Sequence, residues 1–548
     1  MRLSIIAFLL LIPAFPVFAQ QDSTTTRPKL VVLLVIDQMV PEFLTRFDKY
    51  YTGGFRRLND QGFIFDSAAH DHACTETGPG HTTIGTGRHP SKNGIIANEW
   101  YDRTRNQSMY CVEDSAAAPI GSPDEKGYSP RNIATDGLGD WIKKANPASK
   151  VVSLSLKNRS AIGLGGQHPD AAIWWNRDDG SFASSPYYDT ILPSWVTAFN
   201  ERRVFDSLRN KTWEKILPDS CYDLSTFDSF PGESNGPDIL NSFPHELKWD
   251  SANIKLFTRT YLYVSPFADE ELLNLSQEAV TVEQLGKDNI PDLLAISLSS
   301  SDAIGHTFGP NSQEIQDYYI RIDRKLGEWF AFLDSTVGAQ SYVVALSADH
   351  GVLPLPEYLD MFGIPSERIL SKTMESDLKQ ITDRMEAEGV GKSAWMQGNP
   401  QEVYLVPDTA ISDSLKNTII TRLQNEIRLM PYVADAYTRK QLTAKADTTD
   451  PYLLYYRNSF FPARFADLIV RYKENYLMFA SQYGTTHGSP YWYDRHVPIL
   501  FYGTKITHGR SSHYARTVDI AATIADMLKI TTPKNVDGES LIPEIHHQ

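Results

Sequence analysis

Two pairs of aspartate and histidine residues follow two apolar runs of this sequence. The first pair comes after the run at 293–298, and the second comes after the run at 342–346. The four residues are Asp302, His306, Asp349 and His350. Such runs are typical of buried strands in a parallel sheet, and open α/β sheets bind ligands beyond the carboxyl ends of their strands. Because carboxylate and imidazole groups suit zinc, the pattern predicts a metal site at one edge of a sheet.

The rest of the chain alternates apolar runs with helical periodicity. This rhythm predicts an α/β fold with a mostly parallel central sheet flanked by helices. Further buried strands are expected at residues 30–36, 151–156 and 497–502, and an edge strand at 62–65. Helices are expected at residues 41–58, 133–144, 270–285, 312–337 and 518–528. The first of these contains Gly53-Gly54, which favours a break.

Two stretches depart from this rhythm. Residues 165–265 are rich in aromatic residues and proline, and they predict a cap inserted outside the main sheet. Residues 355–455 predict a small α+β insertion with a strand at 402–406 and a helix at 412–430. Residues 20–548 are therefore expected to form one domain with two insertions.

The first 19 residues predict a secretory signal peptide. Arg2 gives a positive start, an apolar stretch follows at 3–11, and Val17-Phe18-Ala19 resembles a cleavage site. The stretch is too short for a membrane span, no cysteine follows the cleavage site, and no later window reaches about 18 apolar residues. We expect an exported protein, periplasmic or secreted, without membrane insertion.

Charge limits the partners that the protein can bind. The formal net charge is −15, and loss of Arg2 with the signal peptide makes the mature chain about one unit more negative. Nucleic acid polymers and anionic membranes are therefore not expected as partners. An acidic protein that handles anionic substrates needs local positive charge, which bound metal ions supply.

Neither the disulfide status nor the oligomeric state follows from the sequence. The odd number of cysteines leaves at least one of Cys74, Cys111 and Cys221 outside an intrachain disulfide. Burial as apolar side chains is the simplest expectation for them. A monomer is compatible with the sequence.

Two more residues are candidate metal ligands. Asp37 ends the run at 30–36, where a helix N-cap is the alternative role. His487 lies in a loop of glycine and small hydroxyl residues, where an exposed histidine is the alternative. With the first four residues they make six ligands, which suits two zinc ions with three protein ligands each. Manganese or iron also fits such mixed sites.

A candidate nucleophile lies in the segment Thr77-Gly78-Pro79-Gly80-His81. A helix is expected to begin at Gly80 or His81, which places Thr77 near a helix N-terminus that favours anions. A threonine hydroxyl becomes a nucleophile when a metal ion takes the place of a base. The alternative is an ordinary threonine in a Gly-Pro turn.

Taken in order, these motifs resemble the alkaline phosphatase superfamily, in particular its threonine-nucleophile branch of monoesterases and nucleotide pyrophosphatase/phosphodiesterases. The resemblance runs from Asp37 to His487, nearly the whole mature chain. It implies an alkaline phosphatase-like catalytic domain with two Zn²⁺ and a covalent phosphothreonine intermediate at Thr77. One ion would be bound by Asp302, His306 and His487. The other would be bound by Asp37, Asp349 and His350 and would activate Thr77.

Three polar residues resemble phosphate-binding residues of this branch, and two of them, Lys157 and Arg159, distinguish its two kinds of enzyme. Asn98 resembles the asparagine that both place on a phosphoryl oxygen, and Lys157-Asn158-Arg159 resembles the Lys-x-Arg pair of the monoesterases. A monoester dianion carries a charged oxygen that a diester lacks, so two cations beside it stabilise the transition state. A solvated charge pair is the alternative for Lys157 and Arg159. The sequence thus predicts hydrolysis of small phosphate monoesters, with a phosphodiesterase or nucleotide pyrophosphatase as the alternative.

Overall fold

The computed structural model describes residues 27–120, 126–235, 239–390, 394–397, 401–406, 411–444 and 449–546. The predicted signal peptide at residues 1–19 lies outside them, so export stays a prediction. Within these ranges, no helix combines the length and apolar character that a membrane span requires.

Nineteen strands are found in the described residues. They are β1 Leu30–Ile36, β2 Phe63–Ala69, β3 Glu99–Asp102, β4 Gln107–Tyr110, β5 Val151–Ser155, β6 Ala171–Trp175, β7 Phe182–Ala183, β8 Thr212–Trp213, β9 His245–Glu246, β10 Asp292–Leu298, β11 Tyr342–Ser347, β12 Glu367–Leu370, β13 Ala394–Gln397, β14 Glu402–Val406, β15 Val433–Thr438, β16 Leu468–Tyr472, β17 Tyr476–Phe479, β18 Ile499–Gly503 and β19 Gly509–Arg516.

The α-helices of the same residues also number nineteen. They are α1 Glu42–Arg46, α2 Gly54–Gln61, α3 Thr77–Thr86, α4 Pro90–Asn93, α5 Leu138–Ala145, α6 Asn158–Gly165, α7 Ser194–Glu201, α8 Ile254–Leu256, α9 Phe267–Val282, α10 Ser300–Phe308, α11 Gln313–Leu333, α12 Pro356–Asp360, α13 Ser371–Ala387, α14 Asp413–Ile427, α15 Arg439–Thr443, α16 Pro451–Ser459, α17 Trp492–Arg495, α18 Asp519–Met527 and α19 Ile542–His546.

The central sheet has nine strands in the order β19-β2-β18-β11-β1-β10-β5-β6-β7. The five neighbouring strands from β11 to β6 are all parallel, while β18 runs antiparallel to both of its neighbours. The register aligns Ile36 with Leu298 and Ser297 with Ser155, so these strands end at the same edge. The mostly parallel sheet that the sequence predicts is therefore confirmed.

Alternate residues of β1 explain how the sheet is covered on both faces. Leu30, Val32 and Leu34 pack into one apolar cluster, and Val31 and Leu33 pack into another on the opposite face. The first cluster includes α9 and α11, and the second includes α5 and α18. A strand buried on both faces needs the continuous apolar sequence that made β1 recognisable.

Two local expectations are wrong. The strand expected at an edge, now β2, lies inside the sheet between β18 and β19. These neighbours lie more than 400 residues further along the chain, and local sequence gives no sign of them. The stretch at 165–265 does not lie wholly outside the main sheet, because β6 and β7 extend that sheet at its edge.

The second insertion follows the predicted pattern, with β14 at the expected residues and α14 inside the expected helix. Its four-stranded sheet has the order β13-β14-β16-β15. Because β16 belongs to this sheet, the unit continues past the predicted end at residue 455.

Candidate active site

Four adjacent parallel strands deliver the predicted site residues to one edge of the central sheet. Asp37 directly follows β1, and Asp349 follows β11 by two residues. Asp302 lies in the first turn of α10, after β10, and Lys157 follows β5. All four side chains are buried, so their charges must be compensated within the site.

The first predicted ligand trio comes together at this edge. Asp302 and His306 are four residues apart on α10, which places both on one face of the helix. The Oδ1 atom of Asp302 lies 3.1 Å from Nε2 of His306 and 3.7 Å from Nε2 of His487. One ligand atom from each of the three residues fits within 4.8 Å of the others, which is compatible with a shared metal ion.

The second predicted trio surrounds Nε2 of His350. This nitrogen lies 3.3 Å from Oδ2 of Asp349 and 3.4 Å from Oδ1 of Asp37. The groups found at this point with ligand atoms within 4.8 Å of one another are not this trio but two that overlap it, Asp37 with Asp302 and His350, and Asp37 with His81 and Asp349. The six residues thus form one continuous cluster, and their division between two ions stays a prediction.

Main-chain carbonyl groups orient the three histidines. The Nδ1 atom lies 2.7 Å from the Thr485 carbonyl oxygen in His306, 2.7 Å from that of Thr75 in His487 and 2.9 Å from that of Gly351 in His350. A histidine that donates from Nδ1 keeps Nε2 free as an acceptor, which is the arrangement of metal-bound imidazoles. Each Nε2 atom faces the carboxylates.

The carboxylates of the cluster are electrostatically unequal. Burial and the adjacent Asp349 carboxylate raise the pKa of Asp37 well above its usual value, and burial raises the pKa of Asp349 to about 6. At Asp302 the charges of His306 and Lys157 outweigh burial and hold its pKa well below the usual value. Asp37 and Asp349 therefore form the part of the cluster that most needs a cation.

The donor set fits bound divalent metal ions. Among the described residues, Oδ1 of Asp37, Oδ2 of Asp349 and Nε2 of His350 have no hydrogen-bond partner, while Oδ2 of Asp37 faces the Lys157 ammonium. Burial lowers the pKa of His350 well below its usual value, and burial lowers that of His487 to about 3. Neutral imidazoles beside buried carboxylates are the ligands that zinc uses.

Thr77 is the first residue of α3, so the helix begins three to four residues earlier than expected. Gly78 and Gly80 lie in its first turn, where the Gly80 N–H donates to the Glu76 carbonyl oxygen at 2.9 Å and the helix dipole favours an anion. A Cβ atom on Gly80 would come 2.1 Å from the carbonyl oxygen of Asp349. Glycine is thus required there for α3 to approach the strand end that carries Asp349.

Two cations face the Thr77 hydroxyl. Nη2 of Arg159 donates to Oγ1 of Thr77 at 3.2 Å, and Nζ of Lys157 lies 3.4 Å from the same atom. Lys157 also lies 2.5 Å from Oδ2 of Asp37 and 2.6 Å from Oδ2 of Asp302. Its contact with a phosphoryl oxygen stays a prediction, and in the structure it links the carboxylates of Asp37 and Asp302 to the threonine.

Asn98 stabilises the start of α3. Its Oδ1 atom accepts from the Gly78 N–H at 2.7 Å, which leaves its amide N–H groups for another partner. Glu76, at the N-cap position, accepts from the Asn98 N–H at 2.6 Å. A cleft of about 450 Å³ opens here, bordered by Thr77, Asn98 and Arg159.

Gln38 is a site residue that sequence reasoning missed. Its backbone N–H donates to Oδ1 of Asp349 at 3.1 Å, and its Nε2 donates to Oδ1 of Asp302 at 2.8 Å. It adopts a positive φ of 63°, which is uncommon outside glycine. A Cβ atom on Gly305 would come 1.8 Å from Oε1 of Gln38, so α10 must have glycine at that position. The only sequence signal for Gln38 is its position directly after Asp37.

His81 lies beside the predicted ligands. Its nitrogens lie 2.9 Å from the Thr77 carbonyl oxygen and 2.8 Å from Oγ of Ser297, and Nδ1 lies 3.2 Å from Oδ2 of Asp349. Gly351 allows a close approach of two chain segments, because a Cβ atom there would come 2.2 Å from the Tyr493 carbonyl oxygen. The three cysteines form no disulfide.

A mostly parallel α/β sheet that gathers Asp and His side chains around a threonine at a helix N-terminus defines an alkaline phosphatase-like hydrolase fold. Residues 31–497 match the family described as type I phosphodiesterase / nucleotide pyrophosphatase. The chain belongs to this family, which confirms the resemblance found in the motifs.

Curated relatives cover nearly the whole chain. The alkaline phosphatase PafA of Elizabethkingia meningoseptica is 34% identical over 533 residues, which are 95% of each chain. The alkaline phosphatase PhoV of Synechococcus elongatus is 32% identical over 523 residues, 94% of this chain and 92% of the relative. The crystal structure of wild-type PafA superposes with a TM-score of 0.86 over 94% of this chain and 98% of that one, at 31% identity. The protein is therefore a homologue of alkaline phosphatases over nearly its full length.

Proposed function

We propose that the protein is an exported phosphatase that hydrolyses small phosphate monoesters through a phosphothreonine intermediate at Thr77. The observation that carries this proposal is the pair of cations, Lys157 and Arg159, at 3.4 Å and 3.2 Å from the Thr77 hydroxyl. The curated relatives named as alkaline phosphatases support the same reaction class.

The chain's own residues supply the steps of the reaction. The Thr77 hydroxyl releases its proton to solvent, Oγ1 forms a bond to phosphorus while the ester P–O bond breaks, and the leaving oxygen takes a proton from solvent. A water molecule then attacks the phosphothreonine, the P–Oγ1 bond breaks, Oγ1 takes up one proton of that water, and inorganic phosphate leaves with Thr77 restored. When bound, two zinc ions would favour the deprotonated hydroxyl and neutralise charge on the departing oxygen.

The charge of the substrate distinguishes a monoester from a diester at this site. A monoester dianion has three charged non-bridging oxygens, and Arg159 presents a planar fork that matches two of them. The free amide N–H groups of Asn98 supply a further donor. A diester has one charged oxygen fewer, so it gains less from the same donors.

The test is the substrate preference of the purified, zinc-loaded protein. We expect kcat/KM for p-nitrophenyl phosphate to exceed that for bis(p-nitrophenyl) phosphate by several orders of magnitude. Thr77→Ala should abolish monoester turnover, while zinc content, measured by mass spectrometry, is retained. A preference for the diester would instead favour a phosphodiesterase or nucleotide pyrophosphatase, the other activity in the family description.

Trapping the intermediate separates nucleophilic catalysis from direct attack by water. Acid quenching during turnover of a ³²P-labelled monoester should leave label on the peptide that contains Thr77. Rapid turnover without any labelled protein would contradict the phosphothreonine step.

A further inference from the structure

A second cavity opens beside the Thr77 cleft. Its volume is about 370 Å³, and it shares Glu99, Tyr110 and Arg159 with the cleft. Its further basic walls include Arg177 and Arg259. We call it the side cavity. Because the two spaces share walls, a molecule held at Thr77 can extend into it.

The side cavity carries positive charge that the protein leaves largely uncompensated. Among the described residues, neither Arg159 nor Arg177 forms a salt bridge, since the neighbouring Asp178 pairs with Lys255 and Arg259 instead. Among the described residues that line it, Glu99 is the single acidic side chain. In a chain with a net charge of −15, two guanidinium groups without carboxylate partners point to an anionic ligand.

Arg177 reaches this place by the same topology that positions the catalytic cations. It follows β6 by two residues, just as Lys157 follows β5 by two, and β5 and β6 are parallel neighbours. Both side chains therefore emerge at the edge of the sheet where the predicted metal ligands lie.

Aromatic rings hold the two guanidinium groups in place. Cζ of Arg177 lies 4.6 Å from the centre of the Tyr263 ring, and that ring lies 6.3 Å from the ring of Trp175. Nη1 of Arg159 donates to the Tyr110 hydroxyl at 3.2 Å. Stacking fixes an arginine without neutralising it, so less entropy is lost when its N–H groups bind an anion.

We propose that the side cavity binds a second phosphate group of the substrate, with Arg177 as its main ligand. This inference rests on the proposed function, and it specifies the favoured substrates as phosphate monoesters whose alcohol portion carries another phosphate. Arginine presents a donor fork that matches phosphate, and a second dianion is the group that most needs charge of the opposite sign.

Binding of phosphonates tests the proposal independently of turnover, because a phosphonate has no ester bond to hydrolyse. The affinities of pentane-1,5-diylbisphosphonic acid and pentylphosphonic acid are measured by calorimetry on the zinc-loaded protein at 0.15 M salt. We expect the bisphosphonate to bind at least tenfold more tightly, the gain from one or two hydrogen bonds to a charged group. Zinc content after each titration checks that the ligand has not removed metal.

Variants at Arg177 identify the residue responsible. Arg177→Ala should lower the ratio of the two affinities about tenfold, and Arg177→Lys should restore part of it. The matched control is Lys255→Ala, which removes a cation that lies 2.8 Å from the same Asp178 but does not line the side cavity. This control should keep the original ratio.

Two outcomes would overturn the proposal. They are equal affinities of the unaltered protein for both phosphonates, and an unchanged affinity ratio in Arg177→Ala. Hydrolysis of pentyl phosphate is measured separately. A protein that does not hydrolyse it would refute the proposed function. The ratio of the two phosphonate affinities would still decide the role of the side cavity.

Discussion

Replacing Arg159 with alanine should weaken hydrolysis of monoesters much more than hydrolysis of diesters. Arg159 donates to Oγ1 of Thr77 at 3.2 Å, and no described carboxylate forms a salt bridge with it. The substitution therefore removes an uncompensated charge directly beside the reacting hydroxyl. A hydrogen bond to a charged group is worth about 1.5–3 kcal/mol, so kcat/KM for p-nitrophenyl phosphate should fall roughly 10- to 100-fold.

Two comparisons make this prediction specific. Arg159→Lys keeps the charge but loses the planar fork, so we expect an intermediate loss. Arg202→Ala removes an exposed arginine that pairs with Glu278 at 2.9 Å, and it should leave both substrates unaffected. Steady-state rates with p-nitrophenyl phosphate and bis(p-nitrophenyl) phosphate are the assay. If Arg159→Ala lowers both rates by the same factor, the role assigned to this charge is incorrect.

Further predictions concern metal, glycine and pH. Removal of metal by a chelator should abolish activity, and added zinc should restore it. The chelator should also lower the free energy of unfolding by about 4 kcal/mol per site, relative to protein at a free metal concentration 1,000 times Kd, and added zinc should reverse this loss. Gly305→Ala should displace Gln38 and lower kcat at least tenfold. Circular dichroism should still report a folded protein. A variant with unchanged kcat would contradict the role of Gln38. Burial and Glu76 raise the pKa of Glu402 to about 8, so the folded state holds an extra proton between about pH 4.5 and 8. Its contribution to stability is therefore lost as pH rises through that range, by a few kcal/mol, and Glu402→Gln should flatten this part of the curve of unfolding free energy against pH.

Residues whose roles depend on local sequence were predictable. β1 occupies the residues expected for it, because a strand buried on both faces requires an unbroken apolar run. Asp37, Asp302, Asp349 and His350 were found because parallel strands end at a common edge. His487, which has no strand beside it, was placed through its motif.

Features that depend on distant parts of the chain were not predictable in this way. β2 is an interior strand because β18 and β19 flank it, and nothing near residue 63 encodes that pairing. The start of α3 at Thr77 depends on Asn98, which accepts from the Gly78 N–H. Gln38 has its role through a positive φ and through space left by Gly305, and neither leaves a mark in the sequence.

The histidine orientation has a consequence for how this site tolerates mutation. The acceptors for His306 and His487 are carbonyl oxygens of Thr485 and Thr75, and every amino acid carries such an oxygen. The hydroxyl groups of these threonines serve other purposes, since they donate to the carbonyl oxygens of Leu353 and Ser489. The orientation of each imidazole is thus determined by the course of the main chain rather than by a neighbouring side chain. Substitutions at positions 75 and 485 would therefore act on the imidazoles through the course of the two loops, which the hydroxyl groups of these buried threonines help to hold.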